Sequence, residues 1–451
     1  MNGDVDVRGR RVVVIGAAVA GAAAAEVLAL EGADVLVSEV LPAEKLDTVP
    51  RLHQLGIEVA AGGHDPSHLD GAALVVTGPG VPQDAAILRW ALDRGIPVWG
   101  ELELGARLCE VPYVAVTGTN GKTTTTGMIA SCMRAGGIDA IACGNIGHPF
   151  PLAAREGHDA LVVEASSFQL RFVDTFHPRV SVLLNLSPDH LDWHGSEEAY
   201  VEAKRGVMRT QGDGDVHVGN RDDARSAEVS RAAPCPVVWF RLGEPGAGEV
   251  GYLDGDLVSR VEATRSLGPV DAERAGYRAD AAAAAAASLA FGVPPDAVRR
   301  GIASFTPELH RGDVVALVDR VRFVDNSKAT NVHAALAAID ADPGAVLIAG
   351  GRAKGADLSL LGSRADRLAG VVAIGESAEE IASIFGGLIP MRVVASIEAA
   401  TGEAFELAPR PGTVLLAPAC ASWDMFRDYA ERGDRFAAAA RALMEAEVAR
   451  G

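Results

Sequence analysis

Residues 114–124 read VAVTGTNGKTT. An apolar run over 113–117 predicts a strand that passes two glycines, Gly118 and Gly121, before Lys122 and Thr123 open a helical pattern. Backbone N–H groups at a helix N-terminus hold phosphate oxygens, and a lysine beside them adds a point charge. A threonine hydroxyl in the place of Thr123 commonly meets Mg²⁺. The strict phosphate-loop pattern wants glycine six residues before the lysine, where this chain has Val116. The stretch therefore reads as a variant phosphate loop, the alternative being a tight turn that happens to contain Gly-Lys-Thr. Gly118, Thr119, Asn120, Gly121, Lys122, Thr123 and Thr124 are the candidate ATP-binding residues.

Outward from this loop, short apolar runs bounded by glycine recur at 11–15, 33–37, 73–77, 160–164, 180–184, 345–348, 370–374 and 414–417. Ala/Leu-rich stretches at helical spacing separate them. Continuous apolar strands alternating with helices indicate parallel sheets covered on both faces. The expected fold is α/β with three domains, each built on a mostly parallel sheet. They are a Rossmann-like domain over 1–104, a phosphate-loop ATPase-like domain over 105–306 and a Rossmann-like domain over 307–451. The stretch GIPVWGELELGAR (95–107) reads as a connector. Residues 210–272 are Gly/Asp-rich, and PVVWF and VGYLDGDLVSR within them read as appended antiparallel strands. The nearly pure alanine run over 280–290 reads as a packing helix.

The chain has 451 residues, with 41 Lys+Arg against 60 Asp+Glu, a formal net charge of −19. That balance argues against a nucleic-acid or anionic-membrane surface. Hydrophobic residues make up 49% and charged residues 22%, which excludes global disorder. Five dispersed cysteines without metal-like spacing read as reduced thiols. The N-terminal apolar run reads as a buried strand rather than a signal peptide, and no stretch reaches the roughly 18 apolar residues of a membrane helix. A cytoplasmic protein is expected.

A second glycine loop, GAAVAG at 16–21, follows the first strand but has Ala18 where a dinucleotide fingerprint has its middle glycine. Close packing of small residues explains it as well as ligand binding does. Glu39 stands where a ribose-binding acid would sit. Downstream of the phosphate loop, Glu164 and the group Asp189, His190 and Asp192 each follow an apolar strand, at the sheet edge where α/β proteins bind ligands. Glu164 and His190 could hold Mg²⁺. By composition alone His190 is a helix-start residue, Asp192 and His194 belong to a solvated loop, and Lys204 is a surface lysine. The third block carries His310, Arg311, the polar run 325–331, Lys354, Cys420 and Ser422. Its cations Arg311, Lys328 and Lys354 could stabilise phosphoryl charge or clamp a carboxylate, and otherwise are exposed loop cations. Cys420 is expected to be packed rather than nucleophilic.

Taken together, these residues resemble the Mur ligase family, through all three blocks. The resemblance rests on GTNGKTT at 118–124, GNIG at 144–147, EASSFQL at 164–170, LNLSPDHLDWH at 184–194 and AYVEAK at 199–204. It continues with HR at 310–311, NSKATN at 326–331, GGRAKGAD at 350–357 and PACASWDMF at 418–426. SSFQL, SKATN and PACAS look like the branch that adds D-glutamate to UDP-N-acetylmuramoyl-L-alanine. The resemblance implies an ATP- and Mg²⁺-dependent amide ligase of peptidoglycan precursor synthesis, monomeric, working through an acyl phosphate with its three sites meeting in one cleft. By it, Lys122 would bind the β/γ-phosphates, Thr123 and Glu164 would hold one Mg²⁺, and His190 and Lys204, the latter as its carbamate, a second. Lys122, Glu164, His190 and Lys204 are its implied catalytic set. Arg311, Asp325 and Asn326 would face ATP. Asn145 would face the muramoyl diphosphate, Thr330, Lys354 and Ser422, with Tyr429 nearby, would receive the glutamate carboxylates, and Ser166, Gln169 and Lys328 are further implied substrate-binding residues.

This chain departs from the family pattern at three places. Asn326 stands where the family usually has Asp, beside Asp325. The His-Asn-x-x-Asn segment is replaced by AERAGYRADAAAA at 272–284, with Tyr277 and Asp280. Ala20 replaces the hydroxyl of the first glycine loop. These departures leave open a relative that uses L-glutamate or a modified precursor, or a paralogue that binds nucleotide without turnover. A nicotinamide oxidoreductase would rest on residues 16–21 alone and leave GTNGKTT unexplained.

Overall fold

The computed structural model describes residues 6–270 and 276–448. Strands β1 (Arg11–Ile15), β2 (Asp34–Ser38), β3 (Glu58–Ala60), β4 (Ala72–Thr77) and β5 (Val98–Gly100) form an all-parallel sheet in the order β3-β2-β1-β4-β5. Alternate residues of β1 enter different cores: Val12 and Val14 pack on one face, Val13 and Ile15 on the other. A strand buried on both faces must be apolar throughout, which is why RVVVI shows no polar alternation.

The second sheet comprises β6 (Tyr113–Thr117), β7 (Ala140–Gly144), β8 (Ala160–Glu164), β9 (Val180–Leu183), β10 (Val216–Asn220), β11 (Val237–Phe240), β12 (Glu249–Leu253), β13 (Asp256–Ser259) and β14 (Arg265–Pro269). Its order is β14-β13-β12-β11-β10-β9-β6-β8-β7. From β7 to β12 every pairing is parallel. Only β12–β13 and β13–β14 are antiparallel. The expectation for 210–272 is corrected accordingly: PVVWF pairs parallel with β10, and the helix Ala224–Ser230 carries the chain between them. Runs of four or five residues between glycines resemble hairpins, and only pairing partners reveal their direction. Ala272 and the rest of AERA at 272–275 lie outside the described residues.

The connector expected at 95–107 is instead β5 followed by the helix Glu101–Leu108. Its acidic residues disguised it, because both Glu101 and Glu103 are buried. Glu103 is stabilised there by accepting the backbone N–H groups of Asp174, Thr175 and Phe176 and the guanidinium of Arg107.

A third sheet holds β15 (Asp313–Val318), β16 (Val321–Asp325), β17 (Ala345–Gly350), β18 (Leu368–Ile374), β19 (Met391–Val393) and β20 (Gly412–Leu416), in the order β15-β16-β20-β17-β18-β19. β15 alone runs antiparallel. Two compact units result. One takes the described parts of 1–186, 198–270 and 279–305 and contains the first two sheets; the other takes those of 187–197, 276–278 and 306–451 and contains the third.

Within the first unit, the phosphate-loop helix Lys122–Ala135 packs against the helix Pro295–Ser304 at backbone contact, because a Cβ on Gly301 would lie 2.4 Å from Cys132 Cα. Gly301→Ala is expected to lower stability by about 1–3 kcal/mol through overpacking. Gly402→Ala, a helical glycine whose Cβ would meet nothing within 4 Å, is expected to raise it by about 0.4–1 kcal/mol. Denaturant midpoints of the two variants check this, and a loss at both positions would refute the packing argument.

Candidate functional site

The loop after β6 closes by backbone geometry that only glycine allows. Gly118 has φ +155°, and a Cβ there would lie 2.8 Å from Leu184 Cβ. Gly121, the N-cap residue of Lys122–Ala135, has φ +85°, and its Cβ would lie 2.1 Å from Asp280 Oδ1. Asn185 clamps the loop from β9: its Oδ1 accepts Asn120 N–H at 2.8 Å, its Nδ2 donates to Asn120 O at 3.1 Å, and its carbonyl accepts Thr119 N–H at 3.0 Å. The Thr119 and Tyr200 hydroxyls lie 2.9 Å apart. Lys122 Nζ donates to Gly118 O (3.0 Å) and Thr119 O (2.8 Å), so its ammonium sits directly over the loop. Thr123 and Thr124 are buried in the first turn of the helix.

Lys204 is no surface lysine. It is 2% exposed, donates to Gly118 O at 2.7 Å and lies 4.8 Å from the centre of the Tyr200 ring. The helix Glu197–Arg205 buries Tyr200, Ala203 and Lys204, which share one face at the i, i+3, i+4 spacing. Asn185, Tyr200 and Asp280 thus join the loop without having been singled out as site residues; the signal was their position after a strand end or on the buried face of a helix.

Glu164, at the end of β8, is 2% exposed. Its Oε2 accepts the Thr123 hydroxyl and its Oε1 accepts Asn145 Nδ2, both at 2.8 Å. A carboxylate and a hydroxyl beside a phosphate loop are the oxygen donors that suit Mg²⁺. Asn145 also borders a cavity of about 910 Å³ within the same unit, lined further by the 16–21 loop, Glu39, His64, residues 78–82 and Gln169. The loop 16–21 is tight: a Cβ on Gly21 would lie 2.0 Å from Gly16 O. Glu39 braces it, accepting Ala17 N–H at 2.6 Å and Leu41 N–H at 2.8 Å. Among the described residues, no lysine or arginine lines this cavity.

Gln169 is fixed from behind. Its Oε1 accepts Ser166 N–H and the Ser166 hydroxyl, and its Nε2 donates to Glu101 Oε1 at 2.6 Å. Glu101 is fully enclosed, its Oε2 has no hydrogen-bond partner among the described residues, and burial pushes its carboxyl up to about 7.

In the second unit, His190 has φ +54° and caps the helix Leu191–His194, with its N–H on Asp189 Oδ1 at 2.9 Å. Asp189 gathers Lys354 Nζ at 3.2 Å and Asn331 Nδ2 at 3.4 Å. Lys328 Nζ lies 3.6 Å from the centre of the Tyr429 ring, Thr330 is half-buried and Ser422 is buried. Asp325 is 1% exposed and pairs with His310 Nδ1 at 2.6 Å and Ser327 N–H at 2.9 Å, whereas Asn326 is half-buried. Arg311 lies 3.8 Å from Glu308. His194, expected in a solvated loop, is 4% exposed with its ring against Trp193, because the loop coils into a helical turn; the side chain of Asp192 lies outside the described residues. The buried Cys420 thiol is pushed up to about 11 by burial, which suits packing.

Residues 116–250 match the Mur ligase middle domain. The chain is 43% identical to the UDP-N-acetylmuramoylalanine--D-glutamate ligase of Frankia casuarinae, over 96% of this chain and 94% of the relative. The chain belongs to the Mur ligase family. The enzyme of the same name from Salinibacter ruber is 42% identical to this Mur ligase over 96% of the chain and 97% of the relative. Among solved structures, MurF from Acinetobacter baumannii shares the fold with a TM-score of 0.62 at 19% identity, covering 91% of this chain and 90% of its own. MurC from Thermotoga maritima does so with a TM-score of 0.60 at 16% identity, covering 96% and 99%.

Glu101 yields a pH prediction for this Mur ligase. Its folded carboxyl lies near 7 against an ordinary 4.5, so burial favours the neutral form. The associated stability is complete below about 4.5 and is lost as pH rises through about 7. Glu101→Gln should therefore be more stable than the native chain at pH 8 and differ little at pH 4.5, by a margin of up to about 3 kcal/mol. Equal differences at the two pH values, from urea melts, would contradict this account.

Proposed function

We propose that this chain is an ATP-dependent ligase that joins D-glutamate to UDP-N-acetylmuramoyl-L-alanine in peptidoglycan precursor synthesis. The observation that carries the reading is near-full-length identity of 43% to a ligase of that name, in a chain that keeps Lys122, Thr123 and Glu164 together at the phosphate loop. Residues 1–104 would hold the nucleotide precursor, 105–306 ATP and 307–451 the glutamate, in a cytoplasmic monomer.

In this reading the N–H groups of 121–124 at the helix start and Lys122 Nζ would hold the β/γ-phosphates of ATP, those of Thr119 and Asn120 being taken by Asn185. The terminal L-alanine carboxylate attacks the γ-phosphorus, ADP leaves, and an acyl phosphate results. The glutamate amine then attacks the acyl carbon, the tetrahedral adduct expels inorganic phosphate, and the amine loses a proton. Thr123 and Glu164 would hold Mg²⁺, which would neutralise phosphoryl charge. Asn145 bonds to Glu164 from the cavity side, linking precursor and metal positions. Lys204 would serve as its carbamate, since carbon dioxide on the amine turns a buried cation into a carboxylate-like metal ligand. Arg311, Asn326 and Asp325 would act on the ATP side. His190 is retained as a further metal-ligand candidate, and Lys328, Thr330, Lys354, Ser422 and Tyr429 as glutamate contacts, with Ser166 and Gln169 on the precursor.

Phosphate release from ATP, Mg²⁺ and UDP-N-acetylmuramoyl-L-alanine is expected with D-glutamate and neither with L-glutamate nor without amino acid. Release with L-glutamate alone would overturn the assigned acceptor, and no release would overturn the ligase reading. Lys204→Ala should lose most turnover, with partial recovery in added formate or acetate; full activity without either would sink the carbamate. Thr330→Ala and Ser422→Ala should raise KM for glutamate more than KM for ATP.

A further inference from the structure

The cavity that borders Asn145 has a direction. At one end Asn145 bonds to Glu164, beside Thr123 and the phosphate loop, so the carboxylate to be activated belongs there. Residues 18–21, at the start of the helix Val19–Leu30, line the cavity, and the N–H groups of this helix start are the donors a diphosphate needs where no lysine or arginine lines the cavity among the described residues, those of Gly16 and Ala17 being held by Ser38 O and Glu39. The nucleoside is left for the ends of β2 and β3. There Gly62 N–H bonds Leu41 O and Gly63 N–H bonds Glu39 O, which sets His64 beside Glu39 and Leu41.

Of the polar side chains lining the cavity, Glu39, Asn145 and Gln169 are held by other protein groups. Among the described residues, the hydrogen bond of the His64 side chain to the protein is through its Nδ1, at 2.9 Å from Ser38 Oγ. Ser38 is completely buried and also lies 2.8 Å from His68 Nδ1. The hydroxyl has one hydrogen, so it donates to at most one of the two imidazoles and accepts from the other. Asp65 N–H points at His68 Nδ1 at 3.4 Å, within the cap of the 66–69 turn, so that nitrogen carries a lone pair. Ser38 therefore donates to His68, and His64 Nδ1–H donates to Ser38. His64 Nε2 is left as an acceptor. Burial lowers the pKa of His64, with Glu39 opposing that shift and His68 adding to it.

We infer that His64 reads the nucleobase of the precursor, its Nε2 accepting the imide N3–H of the uracil ring, with Ser38 and His68 as positioning residues that fix its tautomer. This rests on the uridine-nucleotide reading above. Uracil presents N3–H between two carbonyls, whereas cytosine N3 has no hydrogen, so an acceptor at this point discriminates between the bases.

The test is a cycle between His64→Leu and a precursor methylated at uracil N3, read as KM for the precursor in the phosphate-release assay. His64→Leu should raise that KM about 10-fold while leaving KM for ATP within about twofold. N3-methylation should impose a comparable penalty on the native enzyme and little further penalty on His64→Leu. Penalties that multiply, or an unchanged precursor KM in His64→Leu, would overturn the assignment. If His64→Leu does not fold, the native enzyme decides alone, since equal KM values for the two precursors would overturn it. Absence of turnover of the unmethylated precursor by the native enzyme would instead remove the ligase reading, and this inference with it.

Discussion

The carboxylate of Glu164 ties the first unit together. One oxygen accepts the Thr123 hydroxyl from the phosphate-loop helix, the other accepts Asn145 from the loop after β7, and the strand end that carries it lies within the second sheet, between β6 and β7. Taking a carboxylate to 2% exposure is costly unless donors meet it. Here the donors are the residues that would line the path from ATP to the acceptor carboxyl. The same pairing that stabilises the buried charge therefore fixes the relative positions of the phosphate loop and the cavity. Gly144 fits this arrangement, since a Cβ on it would lie 2.4 Å from Glu164 O.

Much of this was legible in the sequence because parallel strands buried on both faces must be apolar from end to end. The runs at 11–15, 113–117 and 160–164 are β1, β6 and β8 residue for residue. The short strands β3, β5 and β19 were not legible, since three residues carry no periodicity. The direction of β11 and β12 was hidden too, because pairing is a long-range property that composition does not encode.

The site divides along the same line. Lys122 and Thr123 were legible from a local motif, whereas the burial of Lys204 depends on the face its helix presents and on Tyr200 beneath it. Glu101 and Glu103 misled the reading of their helix because acidic residues usually face water. Their burial is compensated very differently: Glu103 is surrounded by three backbone N–H groups and an arginine, while the Glu101 side chain meets Gln169. That asymmetry leaves Glu103 a structural anchor and Glu101 a titrating group behind the cavity.

The chain's charge of −19 sets a final constraint, because every substrate of the proposed reaction is itself an anion. Long-range attraction cannot gather them, so recognition must be local and short-range. On the proposed reading Lys122 would supply it at the 118–124 loop, and in the second unit Lys354 lies beside Asp189 and Lys328 over an aromatic ring. The large cavity has no lysine or arginine in its lining among the described residues, and its 16–21 loop is shaped by glycine and alanine. On the proposed reading backbone N–H groups would do there what cations do elsewhere, which demands a rigid loop. Glu39 supplies that rigidity by holding the N–H groups of Ala17 and Leu41. Glu39 is thereby committed to the backbone through both oxygens, and His64 beside it is the neighbouring side chain with a ring nitrogen to offer, which is why discrimination of the nucleoside is proposed for it.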